Sequence, residues 1–408
     1  EQGGYAAFQL RSLIFMPTRN IDHMDEESAT LLSRNKKVST EIIDAKVMPA
    51  ETKKEKKLSH KFIAFFGLVL VQGAHVLFFR LSQSGGKYEY NTASAIAVTE
   101  AIKLGMSGGL WWRDSERIAP PTTLFFTYTI LAFAYAVNNQ LAMYLLTNMG
   151  TGMLSLGKSM APMLTALVMW SLFEDERFVQ LQGICFILLT MGLICLFAPD
   201  QKTGVVAPLA MGWLILSVFV SAITSVINCR VLQRGACSLH MQNMLLYSQG
   251  FIFNLALYMS GLNATGMSME HQGFFDGYDN FFVVWVLISQ SFMGLVISAV
   301  YKYGDAIVKC LAAAVQSAIL LVFDAMLFGY SFNIQSIMGA GIVIATTYTY
   351  FAEALPQLQK VKAAEKAQVE KGAVMKQSAA TRILRAGTAV SVGTALFGIS
   401  VYVLTFYV

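Results

Sequence analysis

Within Tyr301–Lys309, the run YKYGDAIVK places Lys302, Asp305 and Lys309 between two long apolar stretches. Charge at membrane depth is costly, and where it occurs it faces a protein interior or a watery cavity, where it recognises a solute or pairs with another charge. Arg80, Glu100, Lys103, Lys158 and Asp324 likewise fall in or at the edges of apolar stretches. Basic groups outnumber acidic ones in this set. A cavity with surplus lysine and arginine suits an anionic solute, because ammonium and guanidinium groups give charge-assisted hydrogen bonds to phosphate or carboxylate oxygens. Plainer readings stand beside that one. Glu100 and Lys103 are three residues apart on one helix face and can neutralise each other. Lys302 lies near an interface to which it could snorkel. Lys158 has no acidic residue within a helical turn on either side, which points to a ligand or a distant partner, and Asp324 is isolated.

The elements that position these groups follow from composition. The chain is 55% hydrophobic and 13% charged, well beyond the apolar share of ordinary soluble domains. The fold class expected is an all-α polytopic membrane protein. Stretches of about 17–25 mostly apolar residues occur at 61–81, 91–112, 122–146, 151–173, 178–198, 208–229, 241–261, 280–300, 306–330 and 335–352, with an eleventh, 386–408, set apart. Five helices in each half, an odd number, would insert the halves in opposite orientations, as two inverted five-helix repeats around a central cavity. The expected organisation is a polar N-terminal tail over 1–57, a first repeat over 58–200, a second over 201–353, a basic segment over 354–385, and the additional apolar helix 386–408.

Several classes are set aside by the same reading. The net charge of +5 comes from basic residues at segment ends and in tails, where they orient helices, so no nucleic-acid partner is expected. The five cysteines, Cys185, Cys195, Cys229, Cys237 and Cys310, are scattered and odd in number, which implies neither a disulfide framework nor a metal site. Residues 1–57 lack the basic and apolar regions of a signal peptide. No cofactor and no catalytic residue is expected.

Lys and Arg counted over alternate connections fix the orientation. One set holds Arg113, Arg117, Arg177, Arg230, Arg234, Lys302 and Lys309, the other only Lys87 and Lys202, so both tails of the ten-helix body are expected in the cytoplasm. The 262–279 connection, on the lumenal side, has no Lys or Arg and carries the glycosylation candidate Asn263 in Asn263-Ala264-Thr265. With Arg382 and Arg385 at its flank, 386–408 would add one crossing, a surface for membrane lipid, for a homodimer or for a larger membrane complex.

Three ordered blocks between about 61 and 352 resemble a family, the nucleotide-sugar transporters of the UDP-galactose and CMP-sialic acid type within the drug/metabolite transporter superfamily. Ala97-Val98-Thr99-Glu100-Ala101-Ile102-Lys103 resembles the family's Glu-x-x-Lys block, Tyr135 to Leu141 its Tyr-x-x-Gln-Asn-Asn-Leu block, and Tyr301 to Lys309 its Lys-Tyr-x-Asp-Asn-x-x-Lys block. The resemblance implies ten helices and an exchanger in the Golgi or ER membrane, moving a nucleotide sugar inward against a nucleoside monophosphate, with no covalent chemistry. Plastid and mitochondrial membranes stay open. By that resemblance Tyr135 and Asn139 line the cavity near base or ribose, Ser221, Asn243 and Tyr247 contact the nucleotide, and Lys302 and Lys309 face phosphate. From their place in the apolar stretches, Arg80, Glu100, Lys103 and Asp305 are expected to form a supporting charge network.

Departures from the family pattern are specific. The Asp-Asn pair is Asp305-Ala306, the glutamate after the sixth helix is Cys229, and the fourth-helix lysine falls on Ala161, with Lys158 nearly one turn earlier and able to reach the same cavity. The chain also continues more than fifty residues past 352. Two rival readings follow: a transport-inactive subunit docked through 386–408, and a carrier of another organic anion such as a sugar phosphate.

Overall fold

A computed structural model describes residues 50–82, 90–114, 118–173, 176–197, 208–235, 237–261, 273–328 and 333–370. Among them are helices and turns and no strand. The helices are α1 (Ala50–Leu81), α2 (Thr92–Trp112), α3 (Thr122–Lys158), α4 (Ala161–Leu172), α5 (Gln180–Phe197), α6 (Pro208–Arg234), α7 (Leu239–Met259), α8 (Phe281–Tyr303), α9 (Ala306–Phe328) and α10 (Ile334–Thr349). A π-helical turn, Tyr350–Ala354, carries α10 into α11 (Leu355–Glu370). The candidate glycosylation site Asn263, the tail 1–49, the segment 386–408 and the side chain of Asp324 lie outside the described residues.

Helix starts follow from short polar caps. Asn91, Ser238, Asn280 and Asn333 each turn a side-chain oxygen onto the first backbone N–H groups of α2, α7, α8 and α10. Asp305 does the same for α9, its Oδ1 accepting from the Val308 N–H at 2.8 Å. These donors would otherwise be orphaned near an apolar medium. Gly235 and Gly261, with φ of 66° and 67°, close α6 and α7 in the left-handed region open to glycine.

One boundary differs from the sequence expectation. Spans 122–146 and 151–173 were expected with a turn between them, yet α3 runs unbroken to Lys158 and the break falls at Ser159-Met160. Gly150 and Gly152 resemble turn residues, but glycine inside a helix costs only about 1 kcal/mol relative to alanine. Pro162 has no N–H to donate to the Lys158 carbonyl four residues back, so the ladder must stop there.

Segments Lys61–Leu81, Gln180–Phe197, Ala210–Arg234, Phe281–Tyr303 and Ala306–Phe323 are long and apolar enough to cross a membrane. Apolar side chains crowd the exterior: Ile63, Phe66 and Leu70 on α1, Ile184, Ile187 and Met191 on α5, Ile337, Met338 and Ile344 on α10. Polar ones are turned inward, including Thr99, Lys103 and Ser107 on α2 and Gln242, Asn243, Gln249 and Asn254 on α7. This reverses the arrangement of a water-soluble protein and suits an integral membrane protein. The two polar helices, α2 and α7, pack extensively on each other, and α5 packs as extensively on α10. At that second crossing a Cβ on Gly339 would stand 2.6 Å from the Gly192 carbonyl oxygen, so only glycine allows the approach.

Candidate functional site

The site is built on one stripe of α6. Ser217, Ser221, Ser225 and Asn228 recur at four-, four- and three-residue steps on a mainly apolar helix and so share a face. Ser217 donates to Asn138 Oδ1 on α3 at 2.9 Å. Asn228 Nδ2 donates to the Tyr135 hydroxyl, also on α3, at 3.3 Å. From α9, Lys309 Nζ donates to Ser225 Oγ at 3.1 Å and stands 5.7 Å from the centre of the Tyr301 ring. The Tyr301 hydroxyl on α8 faces Ser225 and Tyr135 but closes no hydrogen bond to either, and the Asn228 side-chain oxygen is likewise unpartnered among the described residues. Four helices therefore deliver hydroxyls, an amide and a lysine to one place.

Lys158 completes the cluster from the last turn of α3. Its side chain is exposed, and it is near enough to Lys309 for the two ammonium groups to repel. No carboxylate pairs with either lysine among the described residues. Two neighbouring cations without an anion form a site whose missing counter-charge a ligand can supply.

A second layer lies beside this cluster. Tyr247 on α7 shares a 3.3 Å hydrogen bond with Ser298 on α8, and Lys103 Nζ sits 5.4 Å over its ring. Lys103 is tied to Glu100 at 2.8 Å, as their three-residue spacing predicts. Glycines make the room: a Cβ on Gly250 would come to 3.1 Å from the Glu100 carboxylate, and one on Gly294 to 2.8 Å from the Lys103 stem. Asn243 is buried one turn before Tyr247, and Asn139 is half-buried one turn after Tyr135.

The other expected site residues sit apart. Lys302 Nζ donates to the Leu232 carbonyl at 3.0 Å, capping the C-terminal end of α6, where unpaired carbonyls and the negative helix pole favour a cation. Asp305 caps α9 and faces Lys61 at 3.9 Å, whereas Arg80 is exposed at the far end of α1. Of the four groups expected as one charge network, Glu100 and Lys103 pair with each other and Asp305 faces Lys61. Ser225, Asn228 and Tyr301 were not among the residues singled out from sequence. The α6 stripe was the available signal for the first two.

A family model described as nucleotide-sugar transporter matches residues 56–351 of this chain. The chain belongs to the nucleotide-sugar transporter family. Curated family members align over most of their length. CMP-sialic acid transporter 2 of Oryza sativa subsp. indica is 26% identical over 315 residues, covering 74% of this chain and 86% of the rice protein. CMP-sialic acid transporter 1 of Arabidopsis thaliana is 27% identical, covering 71% and 89%. "Probable UDP-sugar transporter protein SLC35A4" of Rattus norvegicus is 26% identical, covering 68% and 90%. A solved crystal structure, 12% identical, superposes with a TM-score of 0.55 over 72% of this chain and 98% of its own, a likeness of fold alone. The nucleotide-sugar transporter family blocks seen in the sequence thus fall on α2, on α3, and on the α8–α9 junction, the elements that frame the site.

Proposed function

We propose that this chain is an antiporter exchanging a cytosolic nucleotide sugar, UDP- or CMP-linked, for a lumenal nucleoside monophosphate by alternating access in a Golgi or ER membrane. The observation that carries the reading is Lys309, held by Ser225 beside Tyr301 among unpaired hydroxyl and amide groups, with Lys158 near enough to repel it and no carboxylate partner for either lysine among the described residues. A nucleotide phosphate must shed water to enter such a cavity, and fixed ammonium groups offset that loss. Tyr135 and Asn139 serve base or ribose, Ser221, Asn243 and Tyr247 hold the nucleotide, and Lys302 joins the phosphate when it leaves its cap on α6. No bond is made or broken, so the role is carriage and not catalysis.

Ten helices as two inverted repeats would be related by a two-fold axis exchanging helix n with helix n+5, and the packing supports this. The most extensive contacts join α2 to α7 and α5 to α10, helices five apart in order. Contact of α3 with α7 has its counterpart in α8 with α2, and α4 with α5 in α9 with α10. Two halves that rock about such an axis would open the lysine cavity to each side in turn.

The test is exchange in reconstituted vesicles preloaded with UMP, CMP, GMP or AMP and offered labelled nucleotide sugars. One matched pair should exchange and unloaded vesicles should not. No exchange with any pair, from protein that purifies with stoichiometric partners, would replace this reading with that of a transport-inactive subunit.

A further inference from the structure

One end of the bundle carries a set of ion pairs that solute binding does not use. Glu176, just before α5, has a side chain only 13% exposed and receives two cations: Lys362 of α11 at 2.7 Å and Arg230, near the end of α6, at 3.7 Å. Arg230 is itself braced, its guanidinium 4.8 Å from the centre of the Phe173 ring. Beside it, Arg177 gives one carboxylate oxygen of Glu365 of α11, Oε1, two hydrogen bonds, from Nε at 3.0 Å and from Nη2 at 2.6 Å, a charge-assisted contact. Glu176 and Arg177 belong to the first five-helix half, Arg230 and α10 to the second. Helix α11 is a continuation of α10 through Tyr350–Ala354, so its grip on Glu176 and Arg177 is a grip of one half on the other.

We propose that α11 is a latch. It holds the two halves together at the end of the bundle where α5 begins and where α6 and α10 end, and it must let go each time that end opens. The proposal rests on the alternating-access reading, in which the halves separate at each end in turn. Glu176 is the centre of the latch, since it binds across the halves directly through Arg230 and again through Lys362. The Arg177–Glu365 pair is the outer hasp. Its side chains are 26% and 41% exposed, so it adjusts the opening equilibrium without blocking it.

The test uses the full chain in vesicles, with a Lys158→Cys reporter labelled by a membrane-impermeant maleimide from the face that bears α11, and the protein without the reporter as control for the native cysteines. Adding Glu365→Arg or Arg177→Glu is expected to raise the labelling rate by about two- to fivefold, the range of a partly exposed ion pair. The swap Arg177→Glu with Glu365→Arg should return it toward the reporter's rate. Labelling that ignores both single changes, or single changes that the swap fails to correct, would overturn the latch. Because the readout is cavity access, exchange by the protein without the reporter together with unresponsive labelling of the reporter chain loses only the latch. A chain with responsive labelling and no exchange loses only the transport reading.

Discussion

Replacing Lys309 by alanine is expected to lower nucleotide exchange by about 30- to 5,000-fold, the range for removing one partner of a buried, hydrogen-bonded charge contact. The loss falls chiefly on the ligand complex, since in the empty chain Lys309 gives up its hydrogen bond to Ser225 and its place over the Tyr301 ring but is released from repulsion with Lys158. Thermal unfolding of the ligand-free variant should therefore begin close to that of the parent protein. Initial exchange rates and a melting curve on one preparation check both statements. A variant that keeps exchange, or that loses it only by failing to fold, would remove Lys309 from the site.

The second large effect concerns Glu100 and Lys103. Lys103→Met leaves a carboxylate with a side-chain exposure of 13% facing Gly250 with no counter-charge, and orphaning one member of a buried pair costs about 3–5 kcal/mol. The double change Glu100→Gln with Lys103→Met removes both charges and should recover most of that loss, because well-packed neutral groups replace buried ion pairs at little cost. Unfolding midpoints of parent, single and double variants in one detergent measure this. A double variant as unstable as the single would mean that Lys103 acts chiefly through its place over the Tyr247 ring.

Much of this architecture is legible in the sequence because a membrane protein writes its helices as apolar runs and its interior as the exceptions to them. Glu100, Lys103, Lys158 and Lys309 stand out as charges inside such runs, and local spacing alone predicts the Glu100–Lys103 pair. What local spacing does not carry is long-range partnership. Lys302 and Lys309 look equivalent seven residues apart, yet the turn at Gly304-Asp305 sends one to the carbonyls ending α6 and the other to Ser225. Ser225 and Asn228 are small polar residues of a kind that often bridges helices, and only the arrival of Lys309 and Tyr135 distinguishes them. The end of α3 turned on Pro162 over the earlier glycines, a competition of helix energetics. Lys362 and Glu365 belong to a segment that reads as a basic, solvated helix, and their partners lie almost two hundred residues upstream.

The paired lysines can be challenged without transport, through the melting temperature of the purified chain with added ligands. A ligand that binds only the folded form at a hundred times its Kd stabilises that form by about 2.7 kcal/mol. A nucleoside monophosphate should raise the melting temperature and the matching nucleoside, which lacks the phosphate, should not, while Lys158→Gln with Lys309→Gln should abolish the rise. Equal rises for nucleotide and nucleoside, or a rise that survives loss of both charges, would mean that these lysines do not hold the solute's phosphate.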